Sequence, residues 1–121
     1  MAVKVLCIDD SPTIRQLVKR TLEPLGYVVS EAGDGQDGLN RAKSETFDFF
    51  LVDVNMPVLG GFDCVAGIKA HPGYSRTPVV FLTTETSAEN RERGKQLGAS
   101  GWMVKPFEPD SLVKIVGMLA G

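Results

Sequence analysis

Five short apolar runs punctuate the chain, at residues 5–8, 27–29, 49–52, 79–82 and 102–104. Each is rich in β-branched, aromatic or other large apolar residues and is bounded by polar, Gly or Pro positions, which predicts a strand. Apolar positions at helical spacing lie between them. Ile14, Leu17, Val18 and Leu22 form one such set, Phe62, Val65 and Ile68 a second, and Leu112, Ile115, Val116 and Leu119 a third. Pro12 after Ser11 has the look of a first-turn proline behind an N-cap, and Pro24 is predicted to end the first helix near Glu23. Residues 35–44 form a weaker helical pattern anchored by Leu39 and Ala42. The stretch 88–97 is weaker still, with only Ala88 and Leu97 as apolar anchors, Gly94 between them, and a charged run over 89–95. Such a helix gains little from packing and belongs among the less stable segments.

Strand and helix thus alternate five times. Strands apolar throughout, separated by helices, are buried on both faces, which requires a parallel sheet with helices on each side. With right-handed crossovers the prediction is a flavodoxin-like, doubly wound α/β domain over residues 1–121, with a five-stranded parallel sheet in the order 2-1-3-4-5. Length, 43% hydrophobic and 23% charged content agree with one soluble domain. The net charge of −2 offers nothing to attract nucleic acid or an acidic membrane. The chain has no apolar run near membrane-span length, and its start lacks a signal-peptide pattern. Cys7 in a strand run and Cys64 in a helical pattern read as buried thiols of a reducing compartment, so a cytoplasmic location is expected.

In sheets of this order ligands sit beyond the C-terminal strand ends, at the switch between strands 1 and 3. The first strand run leads into Asp9 and Asp10, the third into Asp53 with Asn55 behind it, the fourth into Thr83-Thr84-Glu85, and the fifth into Lys105-Pro106. Strand 2 is read as ending in Glu31, on the far side and outside the cluster. Three carboxylates in one cleft repel one another unless a cation lies between them. Oxygen donors select a hard metal, and two or three carboxylates, a carbonyl and waters suit Mg²⁺. A lysine and a hydroxyl opposite a carboxylate complete a receptor for a phosphoryl group, and a carboxylate nucleophile gives an aspartyl phosphate.

Asp9-Asp10, Asp53, Met56-Pro57, Gly61, Thr83 and Lys105-Pro106-Phe107, in this order along essentially the whole chain, resemble a response-regulator receiver domain. With one helix after Lys105, the resemblance is to the stand-alone chemotaxis (CheY-like) type. The resemblance implies that Asp53 accepts a phosphoryl group from a histidine kinase or a histidine phosphotransfer protein. It implies that Asp10 binds Mg²⁺ directly, Asp9 mainly through water, and Asn55 through its backbone carbonyl. Lys105 and Thr83 would contact phosphoryl oxygens, and Trp102 would take the switch-aromatic position. The helix after strand 4, strand 5 and the last helix would present a downstream target protein with a switched face. A monomer is expected, and the protein is expected to be no enzyme beyond promoting its own phosphorylation and dephosphorylation. The Lys105-Pro106 bond is often cis in this family. Trp102 is larger than the usual Tyr or Phe, Thr84 replaces a small residue, and Gly60 replaces an Asp that could cap the next helix.

Other readings fare worse. A haloacid-dehalogenase-type phosphatase needs a second Asp two residues after its nucleophile, where Asn55 stands and cannot relay a proton. A flavodoxin-type electron carrier needs a phosphate-binding loop after strand 1, where "DDSPT" places two negative charges. A phosphorylation-independent interaction module on the same fold is the alternative that Thr84 and Trp102 leave open. His71, beside Pro72-Gly73, reads as an exposed loop residue.

Overall fold

The structure, a computed structural model, describes residues 2–120. Five parallel strands form one sheet in the order β2-β1-β3-β4-β5. They are β1 (Lys4–Ile8), β2 (Val28–Ala32), β3 (Phe49–Val52), β4 (Val79–Thr83) and β5 (Gly101–Val104). The helices between and after them are α1 (Pro12–Leu22), α2 (Gly35–Ser44), α3 (Gly61–Ala70), α4 (Ala88–Gln96) and α5 (Pro109–Ala120). The predicted flavodoxin-like order is the one observed.

Two apolar layers flank the sheet. Leu6, Ile8, Phe50, Val52 and Phe81 face one side, where α2 and α3 bring Ala42, Phe62, Val65 and Ile68. Val5, Cys7, Phe49, Leu51, Val80 and Leu82 face the other, where α1 and α5 bring Val18, Leu22, Leu112 and Val116. The period-two alternation within β1, β3 and β4 therefore feeds two cores, which is why those runs are apolar at every position. All four residues of β3 are buried.

The helix starts follow from local chemistry. The Ser11 hydroxyl accepts from the Ile14 amide at 3.3 Å, and Pro12 opens α1. The helix ends at Leu22, and Pro24 falls within a 3-10 turn, Glu23–Leu25. Gly60 caps α3 without a side-chain bond, since glycine has no side chain to accept one.

Some boundaries differ from the sequence reading. The second strand begins at Val28, one residue into the run that predicts it, and ends at Ala32, one residue past Glu31, because Val28–Ala32 pair in register with Lys4–Ile8. This edge strand is partly solvated, so Ser30 and Glu31 sit in it without an apolar signature. Thr83 is the last residue of β4, Gly101 begins β5, and Leu97 is the C-cap of α4.

Candidate functional site

The C-terminal ends of β1 and β3 are tied together by an Asp53 amide that donates to the Ile8 carbonyl at 2.9 Å. This bond sets the two strand-end acids side by side. Carboxylate oxygens of Asp9, Asp10 and Asp53 lie within 4.8 Å of one another. Asp9 and Asp53 are buried, and Asp10 is exposed. Across the sheet, Lys105 follows β5, and its amide donates to the Thr83 carbonyl at 2.8 Å. Its Nζ reaches Asp9 Oδ2 at 2.5 Å and Asp53 Oδ2 at 3.4 Å. The Lys105-Pro106 peptide is cis.

Asp9 is held at every polar atom. Its amide donates to the Ala32 carbonyl at 3.0 Å, and its carbonyl accepts from Arg15 Nη1 at 2.6 Å. Oδ1 accepts from the Ser11 amide at 2.9 Å, and Oδ2 faces Lys105. Burial raises the Asp9 pKa, and the Lys105 contact and the Ser11 hydrogen bond offset this only in part. Burial by itself lowers the Lys105 pKa, but the hydrogen bond to Asp9 and the negative charges of Asp9 and Asp53 outweigh it and raise it. Three carboxylates against one ammonium leave the cluster under-neutralised. Its all-oxygen donor set is the chemistry that suits a hard divalent ion such as Mg²⁺.

Asp53 closes the other side. Its Oδ1 accepts from the Val54 amide at 2.8 Å. The chain then turns so tightly that a Cβ at Gly61 would lie 2.0 Å from the Asp53 carbonyl oxygen, and only glycine fits there. The Gly61 amide donates to the Val54 carbonyl at 2.8 Å, fixing the loop that carries Asn55. Asn55 is exposed in that loop.

Thr83 is fully buried, and its hydroxyl accepts from the Glu85 amide at 3.1 Å. Thr84 is exposed. Trp102 lies inward beneath α4, its indole N–H donating to the Glu85 carbonyl at 3.1 Å. Its ring centroid is 5.4 Å from that of Phe81 and 6.4 Å from that of Phe62. Gly94 makes this possible, since a Cβ there would lie 3.0 Å from Trp102 and 3.1 Å from Phe81. The room for a ring larger than Tyr thus comes from a glycine in the middle of a helix. In the sequence Gly94 reads only as a break in a weak helical pattern, because the space it leaves for Trp102 exists only where the two elements meet.

The structure brings together Asp9, Asp10, Asp53 and Lys105, with Thr83 at the neighbouring strand end. Arg15 carries no site signal in the residue pattern. Arg15 and Glu31 form an ion pair at 3.1 Å beside the Asp9 turn. Glu31 is outside the carboxylate cluster, as expected, yet it holds the arginine that holds Asp9. His71 is exposed, with Nδ1 accepting from the Gly73 amide. Cys7 and Cys64 are free and buried, and desolvation pushes both thiols up, Cys64 to about 12.

Comparison with known proteins agrees with this geometry. The response regulator receiver domain family matches residues 5–117. Chemotaxis protein CheY-3 of Vibrio cholerae is 37% identical over 111 residues, covering 91% of this chain and 85% of that protein. The solved structure of Vibrio cholerae CheY4 is 45% identical, with a TM-score of 0.94 over 98% of this chain and 99% of that one. A receiver domain of a Pseudomonas aeruginosa sensor histidine kinase, solved with a magnesium ion in its active-site cleft, is 28% identical. It covers 100% of this chain and 99% of that one, with a TM-score of 0.90. Two other curated relatives are longer, and the chain spans 13% and 54% of their lengths. The chain belongs to the response-regulator receiver domain family.

Proposed function

We propose that this receiver domain is a two-component signalling protein whose Asp53 accepts a phosphoryl group from a phosphohistidine, on a histidine kinase or a histidine phosphotransfer protein. The observation that carries the proposal is the convergence of Asp9, Asp10 and Asp53 within 4.8 Å, with Lys105 bridging Asp9 and Asp53. A carboxylate oxygen of Asp53 attacks phosphorus, the P–N bond breaks, and the imidazole leaves with its electron pair and takes up a proton. The product is an acyl phosphate on Asp53. Lys105, with its raised pKa, stays cationic and offsets charge on the phosphoryl oxygens. Thr83, one strand away, supplies a hydroxyl that can turn from the Glu85 amide toward a phosphoryl oxygen.

Asp10, Asp53, the Asn55 backbone carbonyl and, through water, Asp9 would hold Mg²⁺. The ion supplies neutralisation of the carboxylates and of the incoming phosphate. The division of labour between the two adjacent acids fits their surroundings: Asp9 is fully engaged, and Asp10 is exposed.

The readout lies on the face formed by α4, β5 and α5. Drawing the Thr83 hydroxyl toward phosphate releases the Glu85 amide, and the Glu85 carbonyl is the acceptor for Trp102. One residue therefore links the hydroxyl to the aromatic ring. A groove of about 490 Å³ between α4 and β5, floored by Trp102 and edged by Arg91 and Lys95, offers a downstream protein a surface on that face. The protein acts as a cytoplasmic monomer, and its own turnover of the acyl phosphate is part of the signal, not catalysis on a released substrate.

Intact mass tests the proposal. Wild type with Mg²⁺ and acetyl phosphate, or with a phosphorylated histidine kinase, gains one phosphoryl group, and Asp53→Asn gains none. Absence of an adduct from both donors overturns the phosphoacceptor reading in favour of a phosphorylation-independent interaction module.

A further inference from the structure

Arg15 stands in α1, and its side chain is 19% exposed. One arm, Nη1, donates to the Asp9 carbonyl at 2.6 Å, and Nε donates to Glu31 Oε1 at 3.1 Å. Glu31 belongs to β2, and its other oxygen is 4.0 Å from Lys19 Nζ. The guanidinium therefore joins three elements, β2, the turn after β1, and α1, at the peptide that carries Asp9 into Asp10. A flexible ammonium could make one of these contacts; the planar fork of arginine makes both in a fixed geometry. The Asp9-Asp10 peptide is the one segment of the site that two carboxylates share, so its orientation fixes where both carboxylates point.

We propose that Arg15, held by Glu31, is a positioning residue that orients the Asp9-Asp10 turn for divalent-cation binding. The inference rests on the Mg²⁺-assisted phosphoacceptor reading and adds a residue on the opposite side of β1 from Asp53. Arg15 bonds the backbone carbonyl of Asp9 and the Glu31 carboxylate, not the side chains of the acid cluster. Its effect on cation affinity has a distinctive sign. By charge alone, deleting a cation near the site relieves repulsion and tightens Mg²⁺ binding. Positioning demands the reverse.

Calorimetric titration of the full chain with Mg²⁺ separates these. Loss of a partner that orients metal ligands typically weakens affinity by about 10–100-fold. Arg15→Met and Arg15→Lys are expected to bind Mg²⁺ about tenfold more weakly than wild type, near the lower end of that range. Glu31→Gln is expected to move the affinity in the same direction by less. Phosphoryl uptake from acetyl phosphate should recover in each variant at saturating Mg²⁺. Leu97→Ala, which weakens packing away from the turn, should leave Mg²⁺ affinity unchanged, so general loosening is not the cause. If Arg15→Met does not fold, Arg15→Lys carries the test, since it keeps the charge and loses the fork geometry. Affinity equal to or tighter than wild type in the folded Arg15 variants overturns the proposal. Wild type that binds Mg²⁺ but takes up no phosphate sinks the phosphoacceptor reading and leaves the Arg15 result standing. Wild type that binds no Mg²⁺ overturns both.

Discussion

The two halves of the sheet's C-terminal edge are built to opposite standards. On the β1–β3 side, Asp9 has all four polar atoms engaged, Asp53 is fixed to Ile8 and Val54, and β3 is buried at every position. On the β4–β5 side, β5 has no fully buried residue, and among the residues of α4 only Gly94 is buried. Crowded carboxylates keep a useful geometry only if packing and hydrogen bonds over-determine it. A signal needs the reverse, a segment whose alternative arrangement lies within a few kcal/mol. The molecule places its acids on the first half and its aromatic ring on the second. Thr83, buried at the end of β4, stands at the boundary.

The contrast can be broken most forcefully by cutting into each half. Phe50→Ala empties a fully buried site in β3 and should cost about 4 kcal/mol, measured by urea unfolding. Leu97→Ala, at the partly buried end of α4, should cost about 1 kcal/mol. Equal costs would contradict the division into a rigid and a loosely held half.

Lys105 joins the halves, and its loss should have an intermediate effect. Lys105→Met leaves buried Asp9 without its counter-ion and should cost about 2 kcal/mol at neutral pH. The folded-state pKa of Lys105 is raised above its ordinary 10.5, so its contribution is complete below pH 10.5 and is lost as pH climbs through the folded value. Wild type and Lys105→Met should therefore converge in stability at strongly alkaline pH, and also in acid, where a protonated Asp9 needs no counter-ion. Convergence near neutrality would contradict the pairing.

Gly94→Ala should have the smallest effect on stability and the sharpest effect on geometry. Alanine favours the helix by about 1 kcal/mol over glycine, while its Cβ would crowd Trp102 and Phe81. Net stability should change by less than about 1 kcal/mol, the helix gain being opposed by the crowding. Trp102 is the one tryptophan, and its fluorescence should shift to the red as the ring is pushed outward. Unchanged emission would mean that the glycine is not what holds the ring in.

The sequence made some of this legible and hid the rest for physical reasons. β1, β3 and β4 were readable because both their faces are buried, leaving uninterrupted apolar runs. Their ends exposed Asp9, Asp10, Asp53 and Thr83 as the polar residues that follow. β2 is only partly marked in the sequence because an edge strand is partly solvated, and Ser30 and Glu31 carry no strand signature. Arg15 was invisible as a site residue because its significance lies in a contact to a backbone carbonyl, which no residue pattern reports. The fit of Trp102 could not be decided from its size alone, since the space is created by Gly94 on another element.

Amide hydrogen exchange with Mg²⁺, with and without beryllofluoride, tests the central claim most directly. The account predicts altered protection across Ala88–Gln96 and around Trp102, with the amides of β1 and β3 exchanging as slowly in both states. Unchanged protection in α4 and around Trp102, or a uniform change that includes β1 and β3, would contradict it.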